Sequence, residues 1–350
     1  MATERGGIRS PGAFRTSMSR PMASAYQAMA ASSPGLLARA YFRLKPFIPR
    51  SVRWAMRRSR ARGIIRQCGT TWPINELAGA TPANWPGWPH EKEFAVVFTH
   101  DVESRSGLGK VRELAEIEIA YGLRSSFNFI PEGTYNDPSE LRKWLEEMDF
   151  EVGVHDLNHD GRLYGSREGF REKAKKINRY LDSWKAVGFR SGFMLRQLDW
   201  IHDLNVVYDA STFDTDPFEP QPDGSHTIFP FRVRPEGRGG GNGYIELPYT
   251  LPQDSTLFLL LGEETPEIWK RKLDWIAQRG GLALVNIHPD YIDFTGKRTS
   301  SHYPAALIRE FLDFLCVKYR GKFWNPLAKE LAIWYKNAML LPVSEVDSPS

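Results

Sequence analysis

From Phe94 onward the sequence switches repeatedly between two hydrophobic periods, and this alternation constrains the fold more than any other feature. "FAVVFTH" (94–100), "SSFNFI" (125–130) and "FEVGVH" (150–155) are runs of strand length and strand composition. Between them, "GKVRELAEIEIAYG" (109–122) and "DPSELRKWLEEM" (137–148) place apolar residues at helical spacing, the second with Asp137 as its expected N-cap. "SREGFREKAKKINRYLDSWKAV" (166–187) predicts a longer helix opened by Ser166. "VGFRS" (187–191), "VVYDAST" (206–212), "GYIELPYT" (243–250) and "LALVNIH" (282–288) predict further strands. Strands separated by helices of this length form parallel βαβ units, and so many in succession predict an α/β barrel rather than an open sheet. In such folds the chemistry gathers at the C-terminal ends of the strands.

Those ends are polar. The first strand ends in "THDVES" (99–104), the third in "HDLNH" (155–159), and the next two in "FRSGF" (189–193) and "YDAST" (208–212). The last ends in "NIHPD" (286–290). Asp101, Glu103, His155, His159, Arg190, Asp209 and His288 are thereby delivered to one rim. Singly, each has an ordinary explanation: an Asp after a strand is a turn residue, and a lone His is a satisfied structural side chain. His90, His202, His226 and His302 are read in that way. Jointly they suggest a metal centre, because two imidazoles and one carboxylate leave an open position on Zn²⁺ or a related divalent ion, where water is activated. His155 and His159 supply the imidazoles, and either Asp101 or Glu103 the carboxylate; the other carboxylate is then free to take a proton.

This order of motifs resembles the polysaccharide deacetylases of carbohydrate esterase family four, the NodB-homology domain, over roughly Phe94–Asp290. The resemblance implies a distorted (β/α) barrel with a basic N-terminal extension. It implies Asp101 as catalytic base and Glu103 as metal ligand beside His155 and His159. Arg190 would orient the base, and Asp209 would hold His288, the acid that protonates the leaving amine. The backbone N–H near Phe193 would add an oxyanion donor, and His100 and Asp156 would stand behind the ligands. Three departures mark a divergent branch: Glu103 replaces a shorter Asp, Asp156 stands where Ser or Thr is usual, and Ser191 where Pro is usual. The implied activity is metal-dependent hydrolysis of an amide C–N bond, N-deacetylation of a sugar in a polysaccharide or lipid-linked glycan. The implied cofactor is Zn²⁺, with Co²⁺, Ni²⁺ or Mn²⁺ as alternatives. Two other readings stay open: hydrolysis of another linear or cyclic amide on the same fold, or a degenerate glycan-binding scaffold. Tyr164, Trp200, Tyr208, Phe213 and Tyr291 are aromatic candidates for stacking on sugar rings.

Charge divides the chain. Residues 1–75 hold 14 Lys or Arg and one acid, Glu4, for a net +13, whereas the remainder holds 32 bases against 41 acids. Residues 1–35 have the composition of weak order, 36–90 form a basic helical arm with a Pro- and Trp-rich linker, 91–340 the catalytic domain, and 341–350 a tail. Ten bases among the apolar residues of 36–66 suit either a basic helical pair packed on the acidic domain or peripheral contact with an anionic membrane, and nucleic acid is not expected. Cys68 and Cys316 make no disulfide framework, and no signal peptide or membrane span is seen, so a cytoplasmic location is expected.

Overall fold

The computed structural model describes residues 50–69, 71–235 and 243–339. Two compact units divide at Arg53/Trp54. Of the first, only the start of helix α1 (Arg50–Cys68) is described; the sheet and every other helix described belong to the second. The expected loose start (1–35), the front of the basic arm (36–49) and the tail lie outside the described residues.

Strand β1 (Phe94–Val102) is the centre of the sheet. It pairs in parallel with β2 (Ser125–Phe129) along Phe98–Val102 and with β8 (Leu282–Ile287) along Ala95–His100. From β2 the parallel order continues through β3 (Glu151–His155), β4 (Gly188–Arg190), β5 (Tyr208–Asp209) and β7 (Tyr244–Glu246). The short β6 (Phe231–Val233) runs antiparallel on β7, and β11 (Phe323–Trp324) pairs with the start of β1. Past β7, the N–H groups of Thr250 and Leu251 both donate to Leu284 O at 3.0 Å, so the curled sheet returns to β8. The result is the expected distorted (β/α) barrel.

Helices α2 (Arg105–Leu108) and α3 (Val111–Ala120) follow β1, α4 (Ser139–Glu147) follows β2, and α5 (Arg167–Trp184) follows β3. Helix α6 (Glu267–Arg279) precedes β8; the paired β9 (Ile292–Asp293) and β10 (Tyr303–Pro304), then α7 (Ala306–Lys318) and α8 (Ala328–Ala338), complete the chain. Ser166 caps α5 as expected, its Oγ accepting from Gly169 N at 3.1 Å. Asp137 does not cap α4; its carboxylate accepts from Arg142 at 2.8 Å instead.

The period of two along β1 sorts its side chains. Phe94, Val96 and Phe98 join a cluster with Leu114 of α3, Trp269 of α6 and Phe311 of α7. Ala95 and Val97 join a second cluster with Tyr208, Leu247, Leu284 and Leu331 of α8. Thr99, Asp101 and Glu103 continue the second face by the same alternation, whereas His100 belongs to the first. Around the barrel, buried polar groups satisfy one another: Glu151 of β3 accepts from Ser126 at 2.7 Å, Tyr208 OH at 2.9 Å and Lys329 N at 3.0 Å. Part of the basic arm is packed on this unit, since Arg58 Nη2 donates to Leu259 O at 3.3 Å. No helix among the described residues is long and apolar enough to cross a membrane.

Candidate metal and catalytic site

At the C-terminal end of β1, Asp101 is 2% exposed and held from three sides. Asn128 of β2 donates to Oδ1 at 2.9 Å and Asn286 of β8 to Oδ2 at 2.8 Å, while Arg190 Nε lies 3.5 Å from Oδ1. Arg190, itself fully buried, is fixed by a bond from Nη2 to Thr99 Oγ1 at 2.9 Å. Burial opposes the charge on Asp101, but the neighbouring His155, Arg190 and His288 outweigh it and depress the pKa. Gly153 makes room for this arrangement: a Cβ there would sit 2.1 Å from Asn128 Oδ1.

Two residues on, Glu103 turns toward the histidines. Its Oε1 is 3.3 Å from His159 Nε2 and 3.8 Å from His288 Nε2, and its Oε2 accepts from Tyr291 OH at 3.0 Å. Burial raises its pKa, yet His159, His288 and His155 together bring it down to about 2. His155 ends β3 and His159 lies on the loop that follows, not on a helix: Asp156 and His159 both have left-handed backbones, φ 55° and 54°, which carry the chain back so that the two rings lie 4.9 Å apart. His155 Nδ1 faces Arg190 O at 3.1 Å. A carbonyl only accepts, so Nδ1 carries the hydrogen and Nε2 presents a lone pair. That buried Nε2 has no hydrogen-bond partner. Burial also lowers the pKa of His155, which keeps the ring neutral and able to ligate.

The ligand atoms of Glu103, His155 and His159 all lie within 4.8 Å of one another. An orphaned buried imidazole nitrogen beside a second imidazole and an ionised carboxylate is the donor set a divalent cation takes. The residues therefore fit a divalent metal, and the carboxylate clustered with the two imidazoles is that of Glu103 rather than Asp101.

Other expected positions divide. His288 is present, but the carboxylate on it is Asp254, not Asp209: Asp254 Oδ1 is 2.7 Å from His288 Nδ1, and Oδ2 accepts from His288 N at 2.9 Å and Tyr303 OH at 2.8 Å. Burial lowers the His288 pKa, and the charge and hydrogen bond of Asp254 more than reverse this, lifting it to about 10. Asp209 is fully buried, where its Oδ1 accepts from Ser211 Oγ at 2.6 Å and its pKa, raised chiefly by burial, reaches about 6. His100 points away from the site, its Nε2 2.9 Å from Glu118 Oε1 of α3, because one residue along a strand reverses the face. Asp156 stays beside the ligands, capping Leu157 N at 2.6 Å. The Phe193 ring stacks on His159 at 4.3 Å and is 48% exposed. A Cβ on neighbouring Gly192 would lie 2.8 Å from the His159 ring.

Of the aromatic candidates, Tyr291 alone touches the trio. Tyr208 and Phe213 are buried, and Tyr164 and Trp200 pack on each other and on Phe170. Asn128, Asn286, Asp254 and Tyr291 escaped the sequence reading as parts of the site's framework. A polar residue amid the strand "SSFNF" is a usable signal for Asn128; Asp254 follows Pro252 and Gln253 and carries none.

No family model matches the chain, and a search of curated proteins finds no match. Among solved structures, a Mycobacterium smegmatis protein provisionally named a polysaccharide deacetylase aligns with a TM-score of 0.55 at 19% identity, covering 77% of this chain and 99% of that one. A Bacillus anthracis pseudoenzyme of carbohydrate esterase family four aligns at 0.42 with 15% identity over 70% and 67% of the two chains. A family-four acetyl xylan esterase from Clostridium thermocellum, solved with cobalt, aligns at 0.41 with 12% identity over 69% and 91%. The first of these likenesses extends over nearly all of its counterpart at a TM-score of 0.55: this chain has the fold of the polysaccharide deacetylases.

Proposed function

We propose that this protein is a divalent-metal-dependent amide hydrolase that removes acetyl groups from an N-acetylated sugar. The observation that carries the reading is the buried, unpartnered Nε2 of His155 facing His159 and Glu103, with Asp101 on one side and the His288–Asp254 pair on the other. Glu103, His155 and His159 would hold the ion, and a bound ion would supply Lewis-acid activation of the acetamide carbonyl and of water.

The chain's own groups divide the proton work. Asp101 is kept ionised by Arg190 and aligned by Asn128 and Asn286, so it can accept a proton from the attacking water as the new C–O bond forms. His288 is kept cationic by Asp254. Its Nε2 faces the site, so it can deliver a proton to the departing nitrogen as the C–N bond breaks. The products are acetate and a free amine. In the tetrahedral species the backbone at Phe193, turned left-handed at φ 56°, is the proposed additional oxyanion donor.

Metal analysis of the purified protein, with acetate release from N-acetylhexosamine oligomers before and after chelation, tests the reading. Stoichiometric metal and chelator-sensitive acetate release are expected. A protein that binds no divalent ion overturns it, and one that binds the ion but releases no acetate from these oligomers moves the activity to another amide. The charge of residues 36–66 supports a cytoplasmic protein held peripherally at an anionic membrane, each base contributing about 1 kcal/mol at low salt. Salt-sensitive sedimentation with anionic vesicles, lost on removing residues 1–66, is the expected result.

A further inference from the structure

Resting on that reading, we infer that Tyr291 is a positioning residue that selects which oxygen of Glu103 meets the metal and thereby makes the longer ligand workable. A Glu ligand has one more rotatable bond than an Asp, and so has rotamer freedom that must be lost before it can ligate. Here the chain segment His288–Tyr291 removes that freedom at two points. Asp290 Oδ2 accepts from Glu103 N at 3.0 Å and fixes the backbone. Tyr291 OH donates to Oε2 at 3.0 Å and fixes the carboxylate, leaving Oε1 toward His159. The segment is itself braced: Asp290 also bonds Ser104 Oγ, and Lys110 Nζ donates to Asp290 O at 3.2 Å and Ile292 O at 2.7 Å. Gly107 is required for this close approach, since a Cβ there would lie 2.1 Å from Asp290 Oδ2. Asp101 is hydrogen-bonded by Asn128 and Asn286 rather than by the phenol, so the effect of Tyr291 is confined to the ligand side of the site.

The test is metal affinity of the full chain, measured by chelator competition with Zn²⁺ and by the visible spectrum of Co²⁺. Tyr291→Phe is expected to weaken binding about 10- to 100-fold, the usual cost of removing a partner that orients a ligand. In a Glu103→Gln background the same change should have no further effect, because the oriented oxygen is no longer an anionic ligand. A purely structural role for Tyr291 would lower the thermal midpoint of the metal-free protein and act equally in both backgrounds. Should Tyr291→Phe destabilise the chain, Glu103→Asp reads the same link from the other side: the shorter carboxylate loses the phenol, and affinity should drop at least about 10-fold. Wild-type affinity in Tyr291→Phe overturns this inference alone. A wild-type protein that binds neither ion overturns the metal reading itself.

Discussion

Two groups of ionisable residues, each containing at least one carboxylate, lie near the C-terminal ends of the strands, and they are built in opposite ways. One is Glu103 with His155, His159 and His288. The other is Asp214, Asp216 and Glu219, on the loop after β5. In the second, Lys272 of α6 donates to Asp214 at 2.9 Å, Tyr249 OH sits 2.9 Å from Asp216 and 2.8 Å from Glu219, and Gln253 donates to Glu219 at 2.5 Å. Each carboxylate there has a donor within reach. At the first, His155 keeps a lone pair without a partner, and the Glu103 and His159 side chains are 23% and 13% exposed. Acidic residues and burial are common to both groups, so neither marks function. The difference is unspent bonding capacity that a ligand can reach.

The comparison is sharpest if ligation and stability can be broken separately. The largest expected effect is on metal: His155→Ala should weaken binding more than about 1,000-fold while the fold survives, since the ring's Nε2 has nothing else to hold. Metal content after dialysis reads this directly, and retained stoichiometric metal would sink the site. Next, Lys272→Met should leave metal binding intact and cost about 3 kcal/mol of stability, because it strands a buried carboxylate without its cation. Denaturant unfolding measures the loss; a variant that unfolds like wild type but loses metal would reverse the roles given to the two groups.

Much of this contrast is legible in the sequence, and the reasons for the gaps are physical. The strand–helix rhythm is local, so the barrel, the polar strand ends and the His155/His159 pair can all be read from it. Pairings across the barrel cannot. The family resemblance puts Asp209 forward as the partner of His288, yet Asp254, on the segment after β7 where a π-helix (Ser255–Leu261) opens, occupies that place. His100 stands one residue from Asp101, where a period of two puts it on the opposite face against Glu118. Asn128 and Asn286 come from separate strands, and only the register of β1 between β2 and β8 brings them to the same carboxylate.

Asp254 gives the third prediction. Asp254→Asn keeps a hydrogen-bonding side chain at His288 but removes the charge that lifts its pKa to about 10. Loss of about 100-fold in kcat is expected, with metal content unchanged. The comparison variant Asp209→Asn should leave the His288 titration, followed by NMR, where it was. If Asp209→Asn moves that titration and Asp254→Asn does not, the assignment of the partner fails.

The smallest effect concerns the saturated group and its protons. Tyr249 has one hydroxyl hydrogen for two carboxylates, so its close contacts to Asp216 and to Glu219 both hold a hydrogen only when one of the carboxyls carries a proton of its own. Burial and the charge of Asp216 push the Glu219 carboxyl from its ordinary 4.5 up to about 8. Between those two pH values the folded chain holds a proton that the unfolded chain has released, so stability is full below about 4.5 and declines as pH rises toward 8. Glu219→Gln removes this ionisation and keeps an acceptor for Tyr249 and a partner for Gln253. At pH 5 it should change the thermal midpoint little. At pH 9 it should raise stability by ~1 kcal/mol, a shift of a few degrees in a chain of this size. Thermal unfolding of both proteins at the two pH values decides the matter, and an equal offset at each would mean that Glu219 does not hold the proton. Metal affinity should be the same in both, since the carboxylates of this loop are held by Lys272, Tyr249 and Gln253 rather than by His155, His159 or His288.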